Sequence, residues 1–237
     1  MKRDDLGTRM KENYEIRTRG YLPRRTNTII RLDGKAFHTY TKGLDRPFDY
    51  TLMDDMIEVT KFLCSEIQGC KFGYTQSDEI SLVLTDYDKL NTSSWFDGQI
   101  QKICSVSASL ATAKFNELRP GKLAFFDSRC FTISDKQEVV NYLIWRQQDA
   151  SRNSISMVAQ SEYSHKELFK KNTSQQQEML FKKGINWNDY PVNAKRGSAV
   201  VKTYYKKGDV ERSKWDYVDI PILTKDRDFI LDLLPRV

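Results

Sequence analysis

The order of strand and helix patterns in residues 1–133 constrains the fold more than any other feature of the sequence. Runs of β-branched and aromatic residues alternate with segments whose apolar residues recur every three or four positions, which predicts strands and helices respectively. The predicted elements are strand 28–32, helix 52–67, strands 71–74 and 80–84, helix 98–118, and strand material at 123–126 and 130–133. This β-α-β-β-α-β order predicts an α+β fold of the ferredoxin-like type, an antiparallel sheet with two helices on one face.

The second part of the chain, residues 134–237, is predicted to be a helix-rich extension packed on the core 1–133. Ser134 with Gln137, and Ser164 with Glu167, fit capping boxes at helix starts. A late hairpin is predicted from strands 198–205 and 213–218, with a basic turn at 206–209. Because no Gly/Ser-rich linker separates the two parts, we expect an extension and not an independent domain.

Composition excludes several classes of protein. Hydrophobic residues make up 39% and charged residues 30% of 237 residues, which is typical of a folded chain. No apolar run approaches the ~20 residues that a membrane helix needs. The charged start 1–5 does not resemble a signal peptide, and four cysteines without a C-x-x-C pair suggest reduced thiols. We therefore expect a cytoplasmic protein without a membrane partner or a structural zinc site.

Basic residues cluster in two stretches of a chain whose net charge is +6. Residues 195–214 hold seven basic and two acidic residues, and residues 17–35 hold six and one. Each cluster taken alone fits solvated surface, but two clusters in a basic chain favour a polyanionic partner such as nucleic acid. The candidate contacts to RNA phosphates are Lys195, Arg196, Lys206 and Lys207.

Two carboxylates are predicted to meet at one end of the sheet. Asp33 ends the first strand and Asp78 lies in the hairpin beside it, although they are far apart in sequence. Two carboxylates held closely repel each other unless a cation intervenes. A pair of Mg²⁺ ions would relieve this repulsion and suits phosphoryl transfer, and Gly34 would let its backbone carbonyl approach the metal.

Other interpretations of these residues stay open. Asp33-Gly34 and Asp78 are also ordinary turn residues, and Glu79 could assist a metal or be a surface strand residue. The same element order also describes an RNA-recognition module, but that module stacks bases on exposed aromatic residues of its central strands. The corresponding stretches here are apolar or acidic, which disfavours it.

Three motifs resemble the tRNA-histidine guanylyltransferase family, and more closely its bacterial and archaeal guanylyltransferase-like branch. They are R-L-D-G-K-A-F-H at 31–38, G-Y-T-Q-S-D-E at 73–79 and W-R-Q-Q-D at 145–149, and the similarity runs from about 14 to 221. The resemblance implies a polymerase palm fold and extension of RNA in the 3′-to-5′ direction. Family members are tetramers, so a homotetramer is expected.

The resemblance also implies roles for individual residues. Asp33, the Gly34 carbonyl and Asp78 would hold two Mg²⁺ ions, with Asp33, Asp78 and Lys102 as the catalytic set. ATP or GTP would serve as activating and incoming nucleotides. The implied nucleotide-binding residues are Lys35, Phe37, His38, Arg46, Ser77, Lys102 and Asn153. For Phe37 a core role is equally open, and Lys102 could be a solvated helix lysine.

The predicted function is template-dependent repair of the 5′ end of tRNA. The segment 151–157 has S-R-N-S-I-S-M where eukaryotic members have H-I-N-N-L-Y-N, so only Asn153 corresponds clearly. An enzyme that lacks these residues is expected to select the base by pairing with the opposite strand. The alternatives are addition of a single G to tRNA-histidine, a nucleotide cyclase, and an RNA-binding protein without catalysis.

Overall fold

Six strands form one antiparallel sheet in the computed structural model, which describes residues 5–235. The strands are β1 (Asn27–Gly34), β2 (Cys70–Gln76), β3 (Glu79–Thr85), β4 (Phe126–Ile133), β5 (Ser198–Lys207) and β6 (Val210–Val218). Their order across the sheet is β4-β1-β3-β2-β5-β6. The predicted mixture of helices with an antiparallel sheet is therefore confirmed. Residues 1–4 and 236–237, at the ends of the two predicted parts, lie outside the described residues.

The helices differ in length and position. They are α1 (Asp5–Met10), α2 (Phe37–Tyr40), α3 (Tyr50–Glu66), α4 (Ile100–Leu118), α5 (Lys136–Glu162), α6 (His165–Leu168), α7 (Thr173–Lys182), α8 (Val192–Arg196) and α9 (Asp228–Leu231). No helix in the described part of the chain is both long and apolar enough to cross a membrane.

One face of the sheet packs against α3 and α4. Ile30 and Leu32 of β1 and Leu82 of β3 point to this face and are fully buried together with Leu63 of α3 and Phe115 of α4. Alternate residues of a strand point to opposite faces, so neighbouring residues of the same strands face the other side. This face is built almost wholly from aliphatic and aromatic side chains.

The other face packs against α5 and the C-terminal helix α9. Ile29 of β1 and Val83 of β3 meet Val139 and Leu143 of α5 there. The helix begins one residue later than predicted, because Asp135, and not Ser134, accepts the backbone N–H groups of Gln137 and Glu138. The carboxylate of Asp135 caps the helix in place of the predicted Ser134–Gln137 box.

The C-terminal part continues the same sheet through β5 and β6. Strand β5 pairs with β2 only between residues 198 and 200, and beyond that point it pairs with β6 alone. The two strands therefore project from the sheet edge as a two-stranded ribbon, with a turn at Gly208-Asp209. The predicted hairpin is confirmed, with strands longer than expected.

A smaller cluster packs α7 and α8 against the second half of α5. Val158 and Ala159 of α5 meet Leu180 of α7 and Ala194 of α8. The predicted capping box of Ser164 with Glu167 is confirmed at the start of α6. This cluster lies beyond the sheet end where β1 ends, because α5 runs along the sheet toward that end and continues past it.

Candidate functional site

Asp33 and Asp78 meet at the end of the sheet where β1 ends and the β2–β3 hairpin turns. Asp33 lies opposite Glu79 in the β1–β3 register, and the backbone N–H of Gly34 donates to the carbonyl of Asp78 at 3.2 Å. Asp127 of β4 lies opposite Asp33 on the other side. The predicted approach of the two sequence-distant carboxylates is thus a property of the sheet register.

The backbone at this end adopts two conformations that are uncommon for residues with a side chain. Ser77, in the hairpin turn, has a φ of 52°, and Ala36, after β1, has a φ of 55°. Left-handed conformations of non-glycine residues cost about 1–3 kcal/mol and persist where the surrounding structure fixes them. The two turns flank the Asp33–Asp78 pair, so both loops of the site are held in a defined shape.

The environment of Asp78 disfavours its charged form. Burial raises the pKa of Asp78 to about 6, and the neighbouring Asp33 carboxylate adds to this rise. Hydrogen bonds from its own backbone N–H and from Ser77 act in the opposite direction. A half-buried carboxylate facing a second carboxylate gains stability from any cation that binds between them.

A buried ion-pair network, which was not predicted from the sequence, supports this end of the sheet. Glu79 accepts two hydrogen bonds from Arg146 of α5, each 2.6 Å long, and Arg31 of β1 lies 2.8 Å from the same carboxylate. Arg31 also lies 4.0 Å from Asp33. The network fixes Glu79, which was predicted to be either a metal ligand or a surface residue, as the partner of two arginines.

The network continues along α5 toward the solvent. Arg146 contacts Asp149 at 2.8 Å, and Asp149 contacts Arg152 at 2.7 Å. Charges of alternating sign therefore run from the Asp33 end of β1 to the exposed part of α5. The signal in the sequence was the W-R-Q-Q-D motif, whose arginine lies on the helix face turned toward the sheet.

The chain's own residues fit a divalent cation that phosphate oxygens would help to bind. Hard cations prefer oxygen ligands, and Asp33, Asp78 and the Gly34 carbonyl supply oxygens at one sheet end. Among residues 5–235 no group of three or more His, Cys, Asp or Glu side chains is arranged to hold a metal alone. Such a site would depend on ligands from a bound nucleotide or RNA.

Comparison with known proteins gives the family. The Thg1 family pattern, described as tRNAHis guanylyltransferase, matches residues 7–134, more than half of the chain. A solved bacterial tRNA(His) guanylyltransferase (Thg1)-like protein in complex with ATP is 49% identical, with a TM-score of 0.90 over 96% of this chain and 98% of that chain. The chain belongs to the Thg1 family.

Two further relatives agree with this assignment. A bacterial Thg1-like protein in complex with GTP is 48% identical, with a TM-score of 0.87 over 97% of this chain and 99% of that chain. The tRNA(His) guanylyltransferase of Candida glabrata is 27% identical over 206 residues, which cover 77% of this chain and 83% of that protein. As a member of the Thg1 family the chain is a nucleotidyltransferase, which confirms the predicted resemblance and enzyme class.

Several residues of the Thg1 motif lie in the turn that follows β1. Lys35 is exposed, and its backbone N–H donates to the carbonyl of Phe125 at 2.8 Å. His38 is exposed on the short helix α2, and Arg46 is exposed in the loop before α3. Lys35 thus directly follows the Asp33-Gly34 pair, with its side chain free to reach an anionic ligand.

Phe37 of this Thg1 motif belongs to the core, which was one of its two predicted roles. It is 5% exposed and packs in a cluster with Tyr40, Phe115 and Phe126. A Cβ atom at Gly34 would lie 2.2 Å from the Phe37 ring. The close approach of the Phe37 ring therefore requires a glycine at position 34. This is a second reason for Gly34, besides the predicted contact of its carbonyl with a metal.

Lys102 lies on the first turn of α4, away from the Asp33–Asp78 end of the sheet, and its contact with a nucleotide stays a prediction. Helix α4 runs from the far end of the sheet toward the site end. Thr112 accepts the backbone N–H of Phe126, which pairs with Gly34, whereas Cys104 lies 3.6 Å from Cys130, which pairs with Ile30. Lys102 lies still farther from Gly34 along α4, and its Nζ is 5.7 Å from the Phe96 ring.

The two basic residues of α8 differ in exposure. Lys195 is buried, its Nζ donates to the carbonyl of Asn188, and it presents no free ammonium group to a phosphate. Arg196 is half-buried, and its carbonyl accepts the Tyr74 hydroxyl at 2.7 Å. A surface cavity of about 330 Å³ has Arg196 and Arg152 in its wall. The predicted phosphate contact is therefore disfavoured for Lys195 and remains open for Arg196.

The remaining predicted residues are on exposed surfaces. Asn153 lies on α5, beyond the Arg146 network, with its side chain exposed. Lys206 and Lys207 lie near the tip of the β5–β6 ribbon, opposite Glu211 and Val210. All three are accessible to a ligand, and the ribbon carries its lysines away from the Asp33–Asp78 end of the Thg1 fold.

Proposed function

We propose that this enzyme repairs the 5′ end of tRNA by adding nucleotides in the 3′-to-5′ direction under the direction of a template strand. The observation that carries the proposal is the pair Asp33 and Asp78, brought together by the β1–β3 register at one end of a palm-like core. Family membership supplies the reaction class. The ATP and GTP complexes of two Thg1-like relatives support nucleoside triphosphates as substrates.

The reaction has two phosphoryl transfers. A 5′-phosphate oxygen of the RNA attacks the α-phosphorus of ATP or GTP, and pyrophosphate leaves. The 3′-hydroxyl oxygen of an incoming nucleotide then attacks the activated 5′ phosphorus, loses its proton, and displaces the nucleoside monophosphate. Two Mg²⁺ ions held by Asp33, Gly34 and Asp78 would supply charge stabilisation for both transfers.

The chain's residues have distinct tasks in this proposal. The Glu79–Arg146–Arg31 network fixes the ends of β1 and β3, so that the two carboxylates keep one geometry. Lys35, His38, Arg46 and Ser77 line the two loops that follow β1 and precede β3, where they contact the bound triphosphate. Holding the reacting groups in place is a large part of such catalysis, because phosphoryl transfer requires an in-line approach.

Segment 151–157 supports selection of the base by a template. Ser154 is buried and its hydroxyl accepts the indole N–H of Trp187, while the hydroxyl of Ser156 pairs with Gln176. Both hydroxyls are thus engaged in contacts within the protein. Watson–Crick pairing with the opposite strand of the acceptor stem then decides which nucleotide is added.

A tRNA partner agrees with the charge of the surface. Lys206 and Lys207 on the projecting ribbon, and Arg196 near the site end, offer cations to the phosphates of the acceptor stem. Contacts to phosphate supply affinity without sequence information, which suits an enzyme that repairs many tRNAs. Cytoplasmic location and a homotetramer remain predictions.

The second candidate is addition of a single G to tRNA-histidine, and the named function of the Candida glabrata relative favours it. The two functions predict different responses to a change of template. The test uses a tRNA that lacks its first 5′ nucleotide, with C or A at the opposing position of the 3′ strand. Templated repair adds G opposite C and U opposite A. Addition of G in both cases, with preference for full-length tRNA-histidine, would show that the second candidate is right.

A further inference from the structure

Trp145 exposes its indole beside the candidate site. Its side chain belongs to the W-R-Q-Q-D motif on α5, and the residue is 49% exposed. A tryptophan is a large apolar residue that is usually well covered in a folded chain. A half-exposed indole next to charged groups therefore suggests that this surface binds a ligand.

Two arginines and a tyrosine contact the indole and restrict its position. The guanidinium carbon of Arg146 lies 4.4 Å from the ring centroid, and that of Arg31 lies 6.0 Å from it. Both arginines bind the same carboxylate oxygen of Glu79, so their guanidinium groups lie close together beside the ring. Tyr142 meets Trp145 in a T-shaped contact at 5.9 Å, and its own hydroxyl is hydrogen-bonded to Ser81. The exposed part of the ring thus has a fixed orientation.

One side chain connects this ring with the candidate catalytic carboxylate. Arg31 lies against Trp145, and its terminal nitrogen is 4.0 Å from Asp33. Arg31 and Asp33 also share a face of β1, because they are two residues apart in the strand. The indole is therefore a neighbour of the position where the 5′ phosphate would react.

We propose that Trp145 stacks on the 5′-terminal base of the RNA whose end is being extended. The inference rests on the proposed function and adds a residue to the same site. Aromatic side chains bind nucleobases by stacking, because every base has a flat π-face. The open surface of the ring suits the broad outer face of a terminal base pair better than a single free nucleotide, which a binding pocket would have to enclose.

The charges around the ring favour this ligand. The two arginines beside the indole share the single carboxylate of Glu79, so one positive charge remains to attract the terminal phosphate. Three nearby carboxylates have arginine partners: Glu79 binds Arg31 and Arg146, Asp149 binds Arg146 and Arg152, and Asp127 binds Arg129. The proposed cations would offset the charge of Asp33 and Asp78.

The test is a double-mutant cycle between the protein and the RNA. Wild type and Trp145→Ala are each measured with a 5′-truncated tRNA whose terminal 5′ nucleotide either carries its base or is abasic. Fluorescence anisotropy in EDTA gives the Kd of the RNA, and single-turnover assays with Mg²⁺ give the rate of nucleotide addition. Stacking predicts that each change alone weakens RNA binding about 5- to 100-fold, and that the second change adds little.

Two controls separate stacking from damage to the fold. Trp145→Phe keeps a ring at the position and is expected to restore most of the binding. Phe181→Ala removes another exposed aromatic side chain, on α7, outside the cluster of Trp145, Arg31 and Arg146, and is expected to leave the Kd unchanged. The KM for the incoming nucleotide is expected to stay within a factor of two in Trp145→Phe.

The outcomes that overturn the proposal are specific. Independent, multiplicative effects of Trp145→Ala and the abasic site would show that the ring does not contact that base. A change confined to the nucleotide KM would assign the ring to the free nucleotide, and a change of molar mass in light scattering would assign it to a subunit interface. Because the anisotropy arm needs no reaction, it decides about stacking even if wild type adds no templated nucleotide and the proposed function fails.

Discussion

The two faces of the central sheet differ in the types of side chain that they carry. The face toward α3 and α4 carries aliphatic residues such as Ile30, Leu32 and Leu82, all fully buried. The face toward α5 is apolar at one end, around Ile29 and Val83, and becomes charged toward the other, where Arg31, Glu79 and Arg146 are buried together. The same strands supply both faces through alternate residues.

The difference shows how one sheet separates stability from function. Burial of apolar surface lowers the free energy of the folded state directly. A buried ion pair first loses its hydration, and its mutual attraction offsets that cost only when the geometry is good. The buried charged residues lie at the end of the sheet that carries Asp33 and Asp78. The face toward α3 and α4 carries no comparable cluster of charges among the described residues. Three expected results, from the largest to the smallest effect, test this division.

The largest effect is expected from the two carboxylates themselves. Asp33→Asn or Asp78→Asn removes an anionic oxygen from the proposed cation site, and such a site contributes several kcal/mol to charge stabilisation. Nucleotide addition to a 5′-truncated tRNA is therefore expected to fall at least about a thousand-fold, while circular dichroism shows a folded protein. Single-turnover rates with labelled nucleotide measure the effect.

The matched control for this pair is Asp127→Asn. Asp127 lies opposite Asp33 on β4, but its side chain is 62% exposed and it pairs with Arg129. Its substitution is expected to change the rate less than about threefold, since it removes an exposed charge outside the proposed site. Comparable losses for Asp127 and Asp33 would contradict the division between the site and its surroundings.

The second prediction compares how much one residue on each face of the sheet contributes to the free energy of unfolding. Arg146→Met leaves Glu79 buried with one partner fewer and is expected to cost about 3–5 kcal/mol in the free energy of unfolding. Leu82→Ala on the opposite face is expected to cost about 2–5 kcal/mol through the cavity it creates. Urea denaturation at neutral pH measures both.

The double variant Glu79→Leu/Arg146→Met distinguishes the two mechanisms. The Glu79 charge is removed together with Arg146, but Arg31 then keeps only Asp33, 4.0 Å away, as an acidic partner among the described residues. This variant is therefore expected to recover only part of the stability that Arg146→Met loses. Its nucleotide addition is expected to stay low, since the ends of β1 and β3 are no longer fixed. A double variant less stable than Arg146→Met would show that the network contributes net stability as well as geometry.

The smallest effect concerns pH in the absence of metal. The pKa of Asp78 is raised to about 6 in the folded state, so between about pH 4 and pH 6 the folded protein binds more protons than the unfolded chain. Stability in EDTA is therefore expected to fall as pH rises through this range, by about 2–3 kcal/mol, and then to level off. Melting curves from pH 4 to pH 8 measure this.

Asp78→Asn supplies the reference for that pH series. The variant cannot titrate at this position, so the difference in Tm between it and wild type is expected to grow between pH 4 and pH 6. Magnesium with a nucleotide is expected to reduce the difference at pH 8, because a bound cation offsets the charge. A constant difference across the whole range would contradict the raised pKa.

The parts of the fold predicted correctly follow from local patterns. Apolar periodicity in 52–67 and 98–118, and β-branched runs in 28–32 and 80–84, gave the main helices and strands because these patterns record which side faces the core. The β-α-β-β order then predicted that Asp33 and Asp78 would meet, and the sheet register bears out this approach. Their binding of metal stays a prediction.

Two predicted site residues lie in surroundings that depend on the direction of a helix and on burial in the folded protein. The family resemblance implied that Lys102 contacts the nucleotide, whereas α4 runs toward the site and its first turn lies away from Asp33. The basic cluster 195–214 suggested a surface lysine at 195, yet the turn before α8 covers it. The exposure of Trp145 and the pairing of Glu79 with Arg31 cannot be predicted from neighbouring residues, although the W-R-Q-Q-D motif contains the second arginine of the network.

The sequence by itself determined the elements, their order and the family, because hydrophobic periodicity and short motifs are properties of neighbouring residues. Only the tertiary structure decided which charges are paired, which lysine is buried, why Gly34 must lack a side chain and how Trp145 lies beside Arg31. These facts depend on contacts between residues up to about 115 positions apart in the chain. Their energies are set by burial and distance, which arise when the sheet and α5 come together.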